Sequence, residues 1–145
     1  MKKNIAALFI SCCLLAACNS SKKTATGKSD SSTLDGTWEL NYISGSRIAF
    51  DGLYPGKRPT IKLDVTNKTV SGNTSCNSFN GPIKLDGNKI SFTDPMAMTR
   101  MMCQGDGETV FIQTLQKINT WSVDGGNTLN LLVGDEAMMR FTKIL

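Results

Sequence analysis

The chain has 145 residues, enough for one domain around one core. Its net charge of +4 looks basic, but Lys2, Lys3, Lys22, Lys23 and Lys28 all precede residue 34, and from Leu34 onward eleven basic residues balance eleven acidic ones. A neutral folded part lacks the electrostatic footprint of a nucleic-acid binder. The absence of histidine removes Ser-His-Asp and Cys-His catalysis and the common zinc sites.

Residues 1–3 are a short basic lead, and residues 5–15 form an apolar run of signal-peptide length that is short for a bilayer span. The run ends in Leu15-Ala16-Ala17-Cys18, a pattern that suits a lipobox. Residues 1–17 are therefore read as a lipoprotein signal peptide that would take Cys12 and Cys13 with it. Cys18 is the lipidation site, its thiol carrying diacylglycerol and anchoring the chain to a membrane. The competing readings are an ordinary leader with an incidental cysteine, or a buried helix. Residues 18–33 are the lipidated cysteine and a tether rich in Ser, Thr, Lys, Gly and Asp, with a reach of roughly 20 Å.

The domain, 34–145, reads mostly as strands. Residues 37–43 alternate, with Trp38, Leu40 and Tyr42 on one face. Residues 47–50 read as a short second strand and 51–59 as a loop punctuated by Gly and Pro. Residues 60–65 put Ile61, Leu63 and Val65 on one face, Asn67-Lys68 makes the turn, and 69–73 return. The stretch 71–81, SGNTSCNSFNG, reads as an irregular loop that carries Cys76. Ile83 and Leu85 then face Ile90 and Phe92 across Asp86-Gly87-Asn88, a strong hairpin signal.

A Met-rich loop ending at Cys103 follows. Between 105 and 119 the period changes: Phe111, Leu115 and Ile118 fall at i, i+4 and i+7, which predicts a helix with Asp106 at its N-cap and Glu108 near its positive end. Residues 121–123, a Gly125-Gly126-Asn127 turn, 128–133 and 137–143 complete the sheet. The expected fold class is mainly β (α+β): a curled antiparallel sheet or half-barrel of about eight strands with one packed helix.

In this order the landmarks resemble the META domain, or HslJ-like, family of small envelope proteins. The resemblance covers about 34–145. It rests on Gly36-Thr37-Trp38, on Ser75-Cys76-Asn77-Ser78-Phe79-Asn80-Gly81, on Thr99-Arg100-Met101-Met102-Cys103, and on Glu108 and residues 111–115 of the helix. Leu129-Asn130-Leu131 closes it. Where the family's usual form is Gly-Cys-Asn, Ser75 stands in place of the glycine. The resemblance implies a small curved sheet with one helix and an association with stress response, envelope function and secretion or motility, without an agreed molecular activity.

Three chemical readings compete. In the first, Cys76 and Cys103 are a structural disulfide in an oxidising compartment; two buried free thiols or a redox or metal role are the alternatives. In the second, Met96, Met98, Met101, Met102 and Cys103 supply soft donors for Cu(I), against the blander reading that they fill apolar gaps. In the third, Asn77, Phe79, Asn80 and Arg100 form a binding surface, although Asn77 and Asn80 also suit turn-making.

Asp135-Glu136 lies in a predicted turn, and no carboxylates pair for acid–base work. The expectation is a non-catalytic, cofactor-free, monomeric envelope lipoprotein, lipid-anchored at the outer membrane and facing the periplasm. Its partner is an envelope protein or a small hydrophobic ligand in the mouth of the curl. A soft-metal or thiol-redox module is the second reading.

Overall fold

A computed structural model describes residues 30–144. The expected signal peptide, Cys18 and most of the expected tether lie outside the described residues. The last stretch of the expected tether is already structured: Ser31–Leu34 is a 3₁₀ turn, because the Asp30 carboxylate accepts the Ser32 N–H at 3.0 Å. That turn buries Leu34, whose carbonyl accepts the Trp38 indole N–H at 2.9 Å.

Ten strands form one antiparallel sheet: β1 (Gly36–Ile43), β2 (Thr60–Asp64), β3 (Thr69–Asn73), β4 (Ser78–Pro82), β5 (Lys84–Asp86), β6 (Lys89–Ser91), β7 (Ala97–Met98), β8 (Thr120–Asp124), β9 (Thr128–Val133) and β10 (Glu136–Lys143). Two helices interrupt them, α1 (Phe50–Leu53) and α2 (Gly107–Leu115). Their spatial order is β5-β6-β8-β9-β10-β1-β2-β3-β4-β7. β4 stands ninth and β5 first, yet Ile83 alone separates them in sequence. One residue spans only about 3.5 Å, so the sheet must curl until its two margins approach each other. The result is a half-barrel, as the sequence predicts, with ten strands where about eight were expected.

The curl is filled by inward residues of both flanks. Trp38, Leu40, Ile61, Leu63, Ile90, Phe92, Leu129, Leu131 and Phe141 are almost wholly buried in one cluster with Phe111 and Leu115 of α2. Each such side chain contributes about 1.5–3 kcal/mol. Phe111 meets Phe79 of β4 with ring centroids 5.9 Å apart, which lays α2 against the sheet.

Several expectations change at identifiable residues. Tyr42 does not join Trp38 and Leu40 inside: it is 40% exposed, and Ile43 is buried instead. The pairing of β1 with β10 shifts between Leu40 and Tyr42, so Asn41 is an extra residue that inverts the alternation. Tyr42 then lies outside, under the Arg140 guanidinium at 5.3 Å.

The strand expected at 47–50 is absent. Phe50 instead opens α1 and stacks on Tyr54 at 5.2 Å. Tyr54 is buried and donates its hydroxyl to the Gly107 carbonyl at 3.1 Å, and burial pushes its phenol up to about 12. Gly107 has to be glycine here, since a Cβ would come within 2.6 Å of the Leu53 carbonyl oxygen. The helix is also shorter than 105–119. Gly105 has φ +73°, outside helical space, and at the other end the Asn119 N–H already bonds to Leu132 O in the sheet.

The irregular loop expected over 71–81 is mostly ladder: β3 ends at Asn73 and β4 begins at Ser78, leaving four residues to turn. The turn needs a left-handed residue, and Ser75 supplies it with φ +83° while its N–H bonds to Asn73 Oδ1 at 2.9 Å. A side chain there costs roughly 1–2 kcal/mol, which glycine avoids. Ser75→Gly is therefore expected to raise stability by about 0.5–1 kcal/mol in urea melts, net of glycine's greater unfolded freedom; a lower midpoint would contradict the strain.

Candidate functional site

The turn between β3 and β4 and the loop that follows β7 meet at one point. Cys76 and Cys103 form a disulfide with Cα atoms 5.9 Å apart, closing a sequence separation of 27 residues. On the chain-entropy account a loop of that size contributes about 3.5 kcal/mol. Both cysteines are partly accessible at the rim of the domain.

Beside the bridge, Asn77 is 1% exposed and every polar atom of its side chain is occupied. Its Oδ1 accepts from the Met101 N–H and from the Thr99 hydroxyl, both at 2.8 Å. Its Nδ2 donates to Met101 O at 3.1 Å and to Glu108 Oε1 at 3.2 Å, and also touches Cys103 Sγ at 3.1 Å. The other carboxylate oxygen of Glu108 accepts the Thr74 hydroxyl at 2.6 Å. One amide thus fixes the loop of residues 99–103, the first turn of α2 and the disulfide relative to one another. Its own N–H bonds to Thr74 Oγ1 at 3.0 Å, and its carbonyl accepts the Thr74 N–H at 2.8 Å, which locks the turn.

This placement corrects the expected binding surface. Asn77 and Phe79, 1% and 2% exposed, belong to the interior. Asn80 and Arg100 are exposed. Ser78, Thr99 and Met98 stand between them along the β4–β7 pair.

The soft-donor set is not assembled either. Met96 packs over Gly81, where a Cβ would lie 2.7 Å from its Cγ. Met98 pairs with Phe79 across β4 and β7. Met101 is 61% exposed and Met102 is 99% exposed, so Met102 stands away from the others. The Cys103 sulfur is committed to the bridge. The donor atoms of Cys76, Cys103 and Glu108 lie within 4.8 Å of one another, but bridged sulfurs offer no thiolate.

Sequence reading placed Glu108 as a helix-end charge and as one of the landmarks of the resemblance, but not as a partner of the cysteine turn. Nothing in its spacing announces bonds to Thr74 and Asn77, which lie 34 and 31 positions away.

Concave surface gathers on the outer side of β7. A groove of about 400 Å³ is lined by Met96, Met98, Thr99, Arg100, Met101 and Glu108, with the almost wholly buried Asn77 at its floor. Two neighbouring hollows of about 290 Å³ each share Met98 with it, one against Ser78 and Asn80 and one against Ile112 and Gln113.

A curled ten-stranded sheet with one helix packed on it and a disulfide clamp at one rim defines a small half-barrel domain. Residues 31–144 match the model of the META domain, and the chain belongs to the META domain family. Among solved structures it is similar to a protein from Burkholderia xenovorans determined by NMR, with 22% identity over 79% of this chain and 86% of that one, at a TM-score of 0.59. It is also similar to the crystal structure of a DUF4847 family protein from Bacteroides vulgatus, with 15% identity over 76% of this chain and 93% of that one, at a TM-score of 0.50. At these identities the likeness is one of fold. No curated protein matches the chain.

The clamp makes a sharp prediction. Asn77→Ala leaves the Met101 amide and the Glu108 carboxylate without their buried partner and should cost about 3 kcal/mol in a denaturant melt. Asn77→Asp should cost more, because it sets a second carboxylate against Glu108. A melt of either variant within about 0.5 kcal/mol of the parent would reduce the network to decoration.

Proposed function

We propose that the protein is an envelope lipoprotein anchored through Cys18 whose META domain is a non-catalytic binding or scaffold module serving envelope integrity, with the cysteine-clamped rim as its working face. The observation that carries this reading is the relation between the two ends of the sheet. The chain enters at Gly36, which pairs with Leu63 on β2, whereas the Cys76 turn joins β3 to β4 beyond Asn73 and Ser78, at the opposite end of those strands. An anchor at Cys18 with a short tether would therefore present the clamped rim away from the membrane.

Two further features support it. A disulfide in a domain of this size suits an oxidising compartment, such as the periplasm beneath an outer membrane. Among the described residues that line the groove with Arg100, the one carboxylate, Glu108, is already bonded to Thr74 and Asn77.

The occupied interior of the curl favours a protein partner over a small hydrophobic ligand. The soft-metal or thiol-redox reading would need Cys103 released and Met102 turned inward, so it stands second. In cells, the parent protein is expected in the membrane fraction with an acylated Cys18, and Cys18→Ser in the soluble fraction. A parent protein that fractionates as soluble and carries no lipid by intact mass would sink the anchor.

A further inference from the structure

β7 is the last strand in the sheet, and its outer side has no neighbour. It pairs with β4 in the register Phe79↔Met98 and Asn80↔Ala97, and the next N–H, that of Thr99, donates to Ser78 O at 3.0 Å. In an antiparallel ladder the residues that bond to the partner strand alternate with residues whose N–H and C=O point the other way. Thr99 bonds inward, so Met98 turns its backbone N–H and C=O outward. Among the described residues no side-chain hydrogen bond engages Met98, and α2 faces this edge across an open hollow, at Thr109, Ile112 and Gln113, without bonding to it.

The side chains around this edge are shaped for an occupant. Three hollows share Met98, one lined by Ser78 and Asn80 of β4, one by Thr99 and Arg100, and one by Ile112 and Gln113 of α2. The second is also lined by Met96 and Met101, and methionine adapts to varied apolar side chains. The edge is also held in advance, because Thr99 bonds to Asn77 and to the Ser78 N–H, and Met101 is bonded at both its N–H and its carbonyl. A preordered edge loses little entropy when a strand is added.

Charge selects the kind of occupant. Arg100 is exposed at the end of the groove, and the ion pairs among the described residues, Arg58–Asp51 and Lys84–Asp94, do not involve it. The nearby carboxylate, Glu108, is already bonded to Thr74 and Asn77. A second copy of this edge, Met96-Ala97-Met98-Thr99-Arg100, has no acid to offer.

We infer that the free edge of β7 docks an extended segment of a partner protein, with apolar residues at alternate positions and an aspartate or glutamate that meets Arg100. The main chain of that segment bonds to Met98 as an eleventh strand, and its alternate side chains enter the hollows on either side. The inference rests on the reading of the domain as a binding module, but it does not depend on the lipid anchor.

The test pans a phage-displayed library of random dodecapeptides against the purified full-length oxidised protein and measures the enriched peptides as synthetic ligands. Peptides with alternating apolar residues and an acidic residue at a fixed spacing are expected. Arg100→Glu should weaken them about three- to tenfold and, when panned afresh, should select basic residues at the same spacing. Met98→Ala trims the wall shared by the three hollows and should weaken binding about threefold, whereas Met98→Pro, which also removes the outward N–H at a position edge strands tolerate, should weaken it a further tenfold or more. If the proline variant melts early, hydrogen exchange on the parent decides: the Met98 amide should become protected when peptide binds, while that of Thr99, already bonded, changes little.

Failure to enrich any peptide, binding indifferent to Arg100→Glu and to the Met98 amide, or self-association through this edge would each overturn the inference. None of these results would bear on the membrane fractionation of Cys18→Ser, so the two proposals fail separately.

Discussion

A single buried amide holds the disulfide-clamped end of this domain together. Asn77 sits where a four-residue turn, a long loop and the first turn of a helix converge, and its side chain bonds to all three. Without it the Met101 amide and the Glu108 carboxylate would face each other across an unfilled polar gap. Such a gap in a low-dielectric site costs more than the bonds themselves are worth when made. The disulfide acts on the same loops by a different route, since it restricts the unfolded chain while the amide orders the folded one. Together they fix the backbone of Met101 on a segment as exposed as this one.

The clamp matters because of the curl. The one-residue step at Ile83 sends the chain from one margin of the sheet to the other, and residues 92–96 bring it back to β7 beside β4. β7 is only two residues long and is bonded on one side, so it adds little stability of its own. Its position is set by Met96 over Gly81, by Thr99 against Ser78 and by the Asn77 network behind it. A short strand held by its ends is an edge that keeps its shape while leaving its outer bonds free.

Much of this was legible in the sequence, and the failures have definite causes. Period-two alternation found β1, β2 and β3, the Asp86-Gly87-Asn88 and Gly125-Gly126-Asn127 turns found the hairpins, and the change to a helical period at Phe111 found α2. Alternation misassigned Tyr42 because the bulge at Asn41 is a property of the pair of strands and leaves no mark on β1 alone. Residues 47–50 were expected as a strand, whereas Phe50 begins α1, where its ring packs tilted against Tyr54. Gly and Asn made 71–81 look like a loop, yet Gly72 and Gly81 are strand residues: a Cβ on Gly72 would run into the Thr60 carbonyl oxygen, and one on Gly81 into Met96.

The site was half visible for the same reason. The two cysteines and Asn77 stood out as residue types, but the partnership with Glu108, Thr74 and Thr99 exists only once the curl has brought distant segments together. Exposure was the harder quantity. Asn77 and Phe79 are as polar and aromatic as a binding surface requires, but both turn inward, and the accessible surface falls to Arg100, Met98 and their neighbours.

The most direct test of the clamp is a tryptic map of the full-length protein, purified without reductant and alkylated in denaturant. The account predicts one linked species joining residues 69–84, which carry Cys76, to residues 101–117, which carry Cys103, with neither cysteine alkylated. Recovery of both peptides separate and alkylated would contradict it, and would release the Cys103 thiolate to the methionines beside it.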